Sequence, residues 1–231
     1  LVKLHSAELN WITPKSEKTI ARHARVSTKD PDREEFTRLL SFCVRHGHWS
    51  VFEQASASFE IATTRAISPQ LLRHRSFTFQ ELSQRYSDPS EVLPDVKDEF
   101  KFDLRLQAEA NRQSSAEEIS VELRNYFWEK LKFIDQDIKS VYREMLELGI
   151  AKECARNVLP EYTTTRVHMS GTIRSFIHYV GLRGKENTQL EHRNIAHSIG
   201  RILKKELPIV YKAIKTVDDP SLAGWDFGGS T

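Results

Sequence analysis

Arg73-His74-Arg75-Ser76-Phe77-Thr78-Phe79-Gln80-Glu81-Leu82-Ser83-Gln84-Arg85-Tyr86 is the stretch from which the rest of the chain is read. Two guanidinium groups and an imidazole stand in a row, and a short run with alternating aromatics follows. That alternation predicts a strand, and on a strand residues i, i+2 and i+4 share one face. Glu81, Ser83 and Arg85 are therefore expected side by side, an acceptor, a hydroxyl and a guanidinium within about 14 Å. Phe77, Phe79, Leu82 and Tyr86 set apolar groups among these charges, and arginines beside buried aromatics have partners. Such a face suits a polar, phosphate-bearing small molecule.

Outward from this stretch, short strands alternate with longer helices. Ala55, Ala57, Phe59 and Ile61 alternate with Gln54, Ser56, Ser58 and Glu60, which predicts a half-buried strand over 53–63. A helix over 67–73 puts Gln70, Arg73 and His74 on one face. Upstream, the pattern predicts a strand over 2–9 and helices over 13–25 and from 30 to about 47. Downstream, residues 87–103 read as a surface loop, and 104–148 as a helix with a break at Ser114-Ser115 and a stop at Gly149. Phe127, Leu131, Ile134, Ile138, Val141 and Met145 form its buried stripe, as core or subunit contact. Then come a short helix over 151–159 carrying Arg156, a strand over 162–169, a helix capped by Ser170-Gly171-Thr172 and closed by Arg183-Gly184, and a last helix over 189–206. The expected fold is α/β (α+β): a single domain over 1–223 with a small, mainly antiparallel sheet flanked by helices, and a flexible tail over 224–231.

With 231 residues and 39% hydrophobic content, the chain can bury a core of its own. It lacks a run of about 18 apolar residues and a basic-then-apolar N-terminus, so a cytoplasmic protein with no membrane association is expected. The net charge of +2 is small, but Arg65, Arg73, Arg75 and Arg85 concentrate it around the opening stretch. That favours a focused anion site over a surface for nucleic acid. Cys43 and Cys154 read as core thiols, and His46 and His48 lack the further ligands a metal needs. No Gly-rich phosphate loop is present, so arginines must do that work. Ser83 has no adjacent base and reads as a phosphate ligand, not a nucleophile. A metal-dependent phosphohydrolase and an RNA-binding module stacking bases on Phe77 and Phe79 are the rival classes.

Arg-His-Arg, seven residues, then Ser-Gln-Arg-Tyr resembles the signature of the flavin-dependent thymidylate synthases. Further landmarks in the same order are Ala24-Arg25-Val26-Ser27, His46-Gly47-His48-x-Ser50-x-Phe52-Glu53, Ala155-Arg156-x-Val158-Leu159-Pro160 and Thr172-x-Arg174-x3-His178-x4-Arg183. The resemblance implies conversion of dUMP to dTMP, with methylenetetrahydrofolate as carbon donor, FAD as hydride carrier and NADPH as reductant, in a homotetramer whose sites are shared between subunits. It implies that Gln70, Arg73, Glu81, Ser83, Gln84, Arg85, Arg156 and Arg183 contact dUMP. It also implies that His48, Ser50, Arg73, His74, Arg75, Glu81, Thr172, Arg174 and His178 surround FAD. Arg183 is the candidate for stabilising charge on the pyrimidine. Gln80 and Thr172 stand where that family often has Asn or Ser, and Asn; both keep hydrogen-bonding capacity.

Overall fold

The computed structural model describes residues 3–88, 102–109 and 115–227. A four-stranded sheet has the order β1 (Ser6–Ile12), β2 (Ser56–Thr64), β6 (Thr164–Thr172), β3 (Thr78–Glu81). Its strands are antiparallel: Ser58 Oγ meets Ser170 Oγ at 2.8 Å, and farther along the same pair Arg65 N–H donates to the Thr163 carbonyl at 2.9 Å. On the other side of β6, Leu82 N–H donates to the Arg166 carbonyl and the Thr78 hydroxyl to that of Ser170. The apolar set expected on one face of β2 is buried, Ala55, Ala57, Phe59 and Ile61 alike, but the alternation is incomplete, since Ser58 of the other face is buried as well. The described residues are α+β, a small antiparallel sheet flanked by helices.

The chain divides into two compact units. One comprises 5–61, 70–80 and 168–231. It holds β1, α1 (Ser16–Ala24), α2 (Thr37–Arg45), a 3₁₀ turn at Trp49–Gln54, α6 (Ile173–Arg183), α7 (Leu190–Glu206) and α8 (Pro208–Ile214). Its core is aromatic and aliphatic: Phe59, Phe77, Phe176 and Tyr179 pack ring against ring, with Ile195, Ile199 and Leu203 of α7 buried. Thr172 caps α6, its Oγ1 accepting the Ser175 N–H at 3.2 Å, as the sequence predicted. α8 was not foreseen. Pro208 stands in its first turn, and buried Glu17 accepts the N–H groups of Ile209 and Val210, satisfying donors a helix start leaves open.

The other unit comprises 1–4, 62–69 and 81–167. It contains an antiparallel hairpin of β4 (Arg105–Gln107) and β5 (Ser115–Glu118), then α4 (Val121–Glu147), α5 (Lys152–Ala155) and a 3₁₀ turn at Arg156–Val158. Between the two units, α3 (Ser68–Leu72) shares its residues.

The structure corrects several sequence expectations. Arg105–Gln107 and Ser115–Glu118 pair as antiparallel strands instead of forming the first part of a long helix; Leu104, Leu106 and Ala108 fit period two as well as period 3.6 over so short a run. The stripe on α4 is not buried: Phe127, Ile134 and Val141 are 42, 51 and 47% exposed, and the helix buries Tyr142 instead. Cys154 is exposed, whereas Cys43 is buried and its thiol is pushed up by that burial. The start of the expected tail is packed: Trp225 is buried and its Nε1–H donates to the Ile177 carbonyl at 3.0 Å. Residues 228–231, and 89–101 of the expected surface loop, lie outside the described residues.

Candidate functional site

In the first unit, α3 ends at Leu72 and releases Arg73-His74-Arg75 before Phe77 enters the core. Phe77 is the anchor that fixes this segment, for its ring lies against Gly171 so closely that a Cβ there would come within 2.5 Å. Arg73 and Arg75 are thereby left exposed while His74 turns inward. The His74 ring stands edge-on to Tyr179 at 5.0 Å, and its Nε2 accepts the Nε–H of Arg183 at 2.9 Å. Burial first, then the charges of Arg183 and His178, push the His74 pKa down to about 4. A neutral imidazole can accept that bond; an imidazolium cannot. Among the described residues, Nη1 and Nη2 of Arg183 have no protein partner.

Arg183 is held from behind as well. It is the last residue of α6, and Gly184 follows with φ −76°. The turn itself therefore needs no glycine. Glycine is required because the Gly224 carbonyl would lie 2.0 Å from a Cβ at this position. His197 adds a bond of 2.8 Å to the Gly184 carbonyl.

Beside this pair lies a second polar chain. Gln70 Nε2 donates to Gln189 Oε1 at 2.7 Å, and Gln70 Oε1 faces His192 Nδ1 at 3.2 Å. Sequence reasoning missed His192 and Gln189, because a single imidazole within an amphipathic helix looks like any satisfied core residue.

The opposite end of α6 gathers exposed donors. Arg174 pairs with Glu53 of the 49–54 turn, Ile173 N–H donates to the Ala55 carbonyl, and the Ser175 hydroxyl donates to the Ser76 carbonyl at 3.3 Å. These bonds bring the turn bearing Ser50 and the Arg75-Ser76 segment to the start of α6. His48, Ser50, Arg73, Arg75, Arg174 and His178 are all solvent-exposed. His48 precedes the turn, with its ring 5.5 Å from Phe42 and 6.2 Å from His46. Thr172 is engaged as the cap of α6. Three guanidinium groups, two imidazoles and a hydroxyl against one carboxylate form a donor set that suits an anion.

In the second unit, Glu81 pairs with Arg65 and accepts the Thr165 hydroxyl at 3.0 Å. The carboxylate is thus tied to an arginine outside the Arg-His-Arg run. β3 ends at Glu81, which overturns the expectation that Glu81, Ser83 and Arg85 share a strand face. Residues 83–87 instead form a turn, with Tyr86 and Ser87 N–H groups donating to the Ser83 carbonyl and the Arg85 N–H facing Ser83 Oγ at 3.4 Å. A serine beginning a turn binds its own backbone in this way. Arg85 is exposed, 3.5 Å from Glu153. Gln84 is buried, and its Nε2 has no hydrogen-bond partner among the described residues. Arg156 is half-buried at the junction of α5 and the following 3₁₀ turn.

Among the described residues, no group of three His, Cys, Asp or Glu is placed to hold a metal ion, and no helix is long and apolar enough to cross a membrane.

The family model described as thymidylate synthase complementing protein matches residues 8–209. A flavin-dependent thymidylate synthase of Synechocystis sp. is 43% identical over 196 residues, covering 85% of this chain and 88% of the relative. A probable flavin-dependent thymidylate synthase of Paramecium bursaria Chlorella virus 1 is 41% identical over 204 residues, 87% of this chain and 92% of the relative. One from Thermus thermophilus is 29% identical, covering 86% of this chain and 72% of the relative.

Proposed function

The chain belongs to the flavin-dependent thymidylate synthases, and from that premise we propose that it makes dTMP from dUMP in the cytoplasm, with methylenetetrahydrofolate as carbon donor, FAD as flavin and NADPH as reductant. In this reading Gln70, Arg73, Glu81, Ser83, Gln84, Arg85, Arg156 and Arg183 bind dUMP, with Ser83 and Arg85 at its phosphate. His48, Ser50, Arg73, His74, Arg75, Glu81, Thr172, Arg174 and His178 hold FAD. The match supports one enzyme domain over 1–223.

The observation that carries the catalytic part is the bond from Arg183 Nε to His74 Nε2. C5 of uracil becomes nucleophilic as negative charge builds on the pyrimidine, and a guanidinium already in position stabilises that charge without reorganising. His74 holds Arg183 through the one N–H that does not belong to the terminal fork. The planar pair of Nη groups is left to meet O4, and N3 once negative charge has built up there with loss of its proton. Being neutral, His74 also adds no competing charge. Bound reduced FAD supplies the hydride, which is the cofactor's own chemistry.

Self-association to a homotetramer is supported by the exposed apolar residues of α4, Phe127, Phe133, Ile134 and Val141 among them, since burying such a face against another copy is favourable.

The test is the reaction. Flavin-loaded protein given dUMP, methylenetetrahydrofolate and NADPH should form dTMP and oxidise NADPH in equal amounts. Protein that stays colourless with added FAD and forms no dTMP would overturn the reading.

A further inference from the structure

His192 has no role in the assignments above, yet it is completely buried inside α7. Its ring packs 6.0 Å from that of His74 and 5.8 Å from that of Tyr179. Nδ1 faces Oε1 of Gln70 at 3.2 Å, while Gln70 Nε2 donates to Gln189. Because Oε1 can only accept, the ring hydrogen belongs on Nδ1, and Nε2 is a bare acceptor. That Nε2 is buried with no hydrogen-bond partner among the described residues. An unmatched buried acceptor costs free energy that an apolar side chain of the same bulk would avoid. The bond to Gln70 is what the imidazole offers in return.

That bond does more than stabilise. A Gln70 amide turned end for end would set donor against donor unless the ring moved its hydrogen to Nε2, where it would be a buried N–H without a partner among the described residues. The amide is thus held in one direction, with one lone pair on Oε1 and one hydrogen on Nε2 still available. We propose that His192 is a positioning residue for nucleotide binding: its Nδ1–H fixes the direction of the Gln70 amide, so that the amide meets dUMP with donor and acceptor already in place. This rests on the reading that Gln70 contacts dUMP. Burial, then the charges of Arg183 and His74, keep the ring neutral with a pKa of about 3, so the arrangement persists at neutral pH.

Two substitutions separate the donor from the bulk. His192→Phe keeps the ring volume and loses the Nδ1–H; His192→Asn keeps an N–H near that place and loses volume. Calorimetric titration of the flavin-loaded protein with dUMP should show affinity reduced about fivefold by His192→Phe, the worth of one neutral hydrogen bond, and within about twofold of wild type for His192→Asn. KM for dUMP should follow the same order with kcat little changed. In a Gln70→Ala background, His192→Phe should cost nothing further. Affinity that falls more for Asn than for Phe, or equal losses in the presence and absence of Gln70, would mean that His192 serves packing alone and would overturn the proposal. If Gln70→Ala itself binds dUMP as wild type does, the assignment of Gln70 fails and the proposal with it. Weak binding by Gln70→Ala with normal binding by His192→Phe sinks the proposal only.

Discussion

Arg183 and His74 lie far apart in sequence, but the Nε–H of the first donates to Nε2 of the second at 2.9 Å. One end of α6 and the segment following α3 are thereby joined at the two side chains that the resemblance assigns to substrate and flavin. The orientation of the guanidinium is decided by an imidazole that must stay neutral to accept.

Arg183→Lys keeps a cation but loses both the planar fork and the Nε–H that His74 receives. Affinity for dUMP should fall modestly, while the flavin reoxidation rate in a single turnover with saturating dUMP and methylenetetrahydrofolate should fall by a much larger factor, with NADPH-dependent flavin reduction less affected. Reoxidation at the wild-type rate would remove Arg183 from the catalytic role.

The pH dependence of stability follows from two buried imidazoles. His74 and His192 have native pKa values of about 4 and about 3, both below the usual value near 6.5 that they regain on unfolding. Below that pH the unfolded chain binds protons that the native chain does not. Stability is therefore full above pH 6.5 and falls as the pH drops toward the native values. The slope contributed is about 1.4 kcal/mol per pH unit for each ring. Urea unfolding between pH 7.5 and 5 measures it, and His74→Phe should remove one ring's share of the slope. An unchanged slope in that variant would mean that His74 is not neutral by burial.

Glu81→Gln removes the carboxylate charge facing Arg65 while keeping an acceptor for Thr165. The pair is only partly buried, so the loss in unfolding free energy should be about 1 kcal/mol. Glu81→Ala also leaves Thr165 without its acceptor and should cost more. A glutamate engaged only with dUMP would show no stability change in either variant.

Gly184→Ala introduces a Cβ where the Gly224 carbonyl would stand at 2.0 Å, and backbone on both sides cannot yield cheaply. We expect at least 1–3 kcal/mol of destabilisation, as for other overpacked sites, and weaker dUMP binding as Arg183 is displaced. A neutral result would show that the segment after Asp219 does not brace Arg183.

Arg85→Ala should weaken dUMP binding by about 1.5–3 kcal/mol, the scale of a charge-assisted bond to phosphate. Ser83→Ala should be milder and leave turnover measurable. Loss of all turnover with unchanged dUMP affinity in Ser83→Ala would restore the nucleophile reading.

The sequence by itself determined the elements whose pattern is local. β2 is legible in its alternation, α6 in its Thr172 cap, and the stop after α4 in Gly149, which adopts φ +80°. The residue types of an anion site were legible too, because guanidinium groups without a Gly-rich loop leave few other uses. Tertiary structure alone decided what each side chain meets. Period-two and period-3.6 patterns coincide over a few residues, so the β4–β5 hairpin passed for helix. An amphipathic stripe says that one face is apolar, not what covers it, so the exposure of α4 could not be read. Ser83 and Arg85 left the strand because a serine hydroxyl and carbonyl can organise a turn as readily as a strand. Glu81 found Arg65, and His192 found Gln70, across separations that no local pattern encodes. The neutrality of His74 and His192 came from burial among residues distant in the chain, which only the folded core supplies.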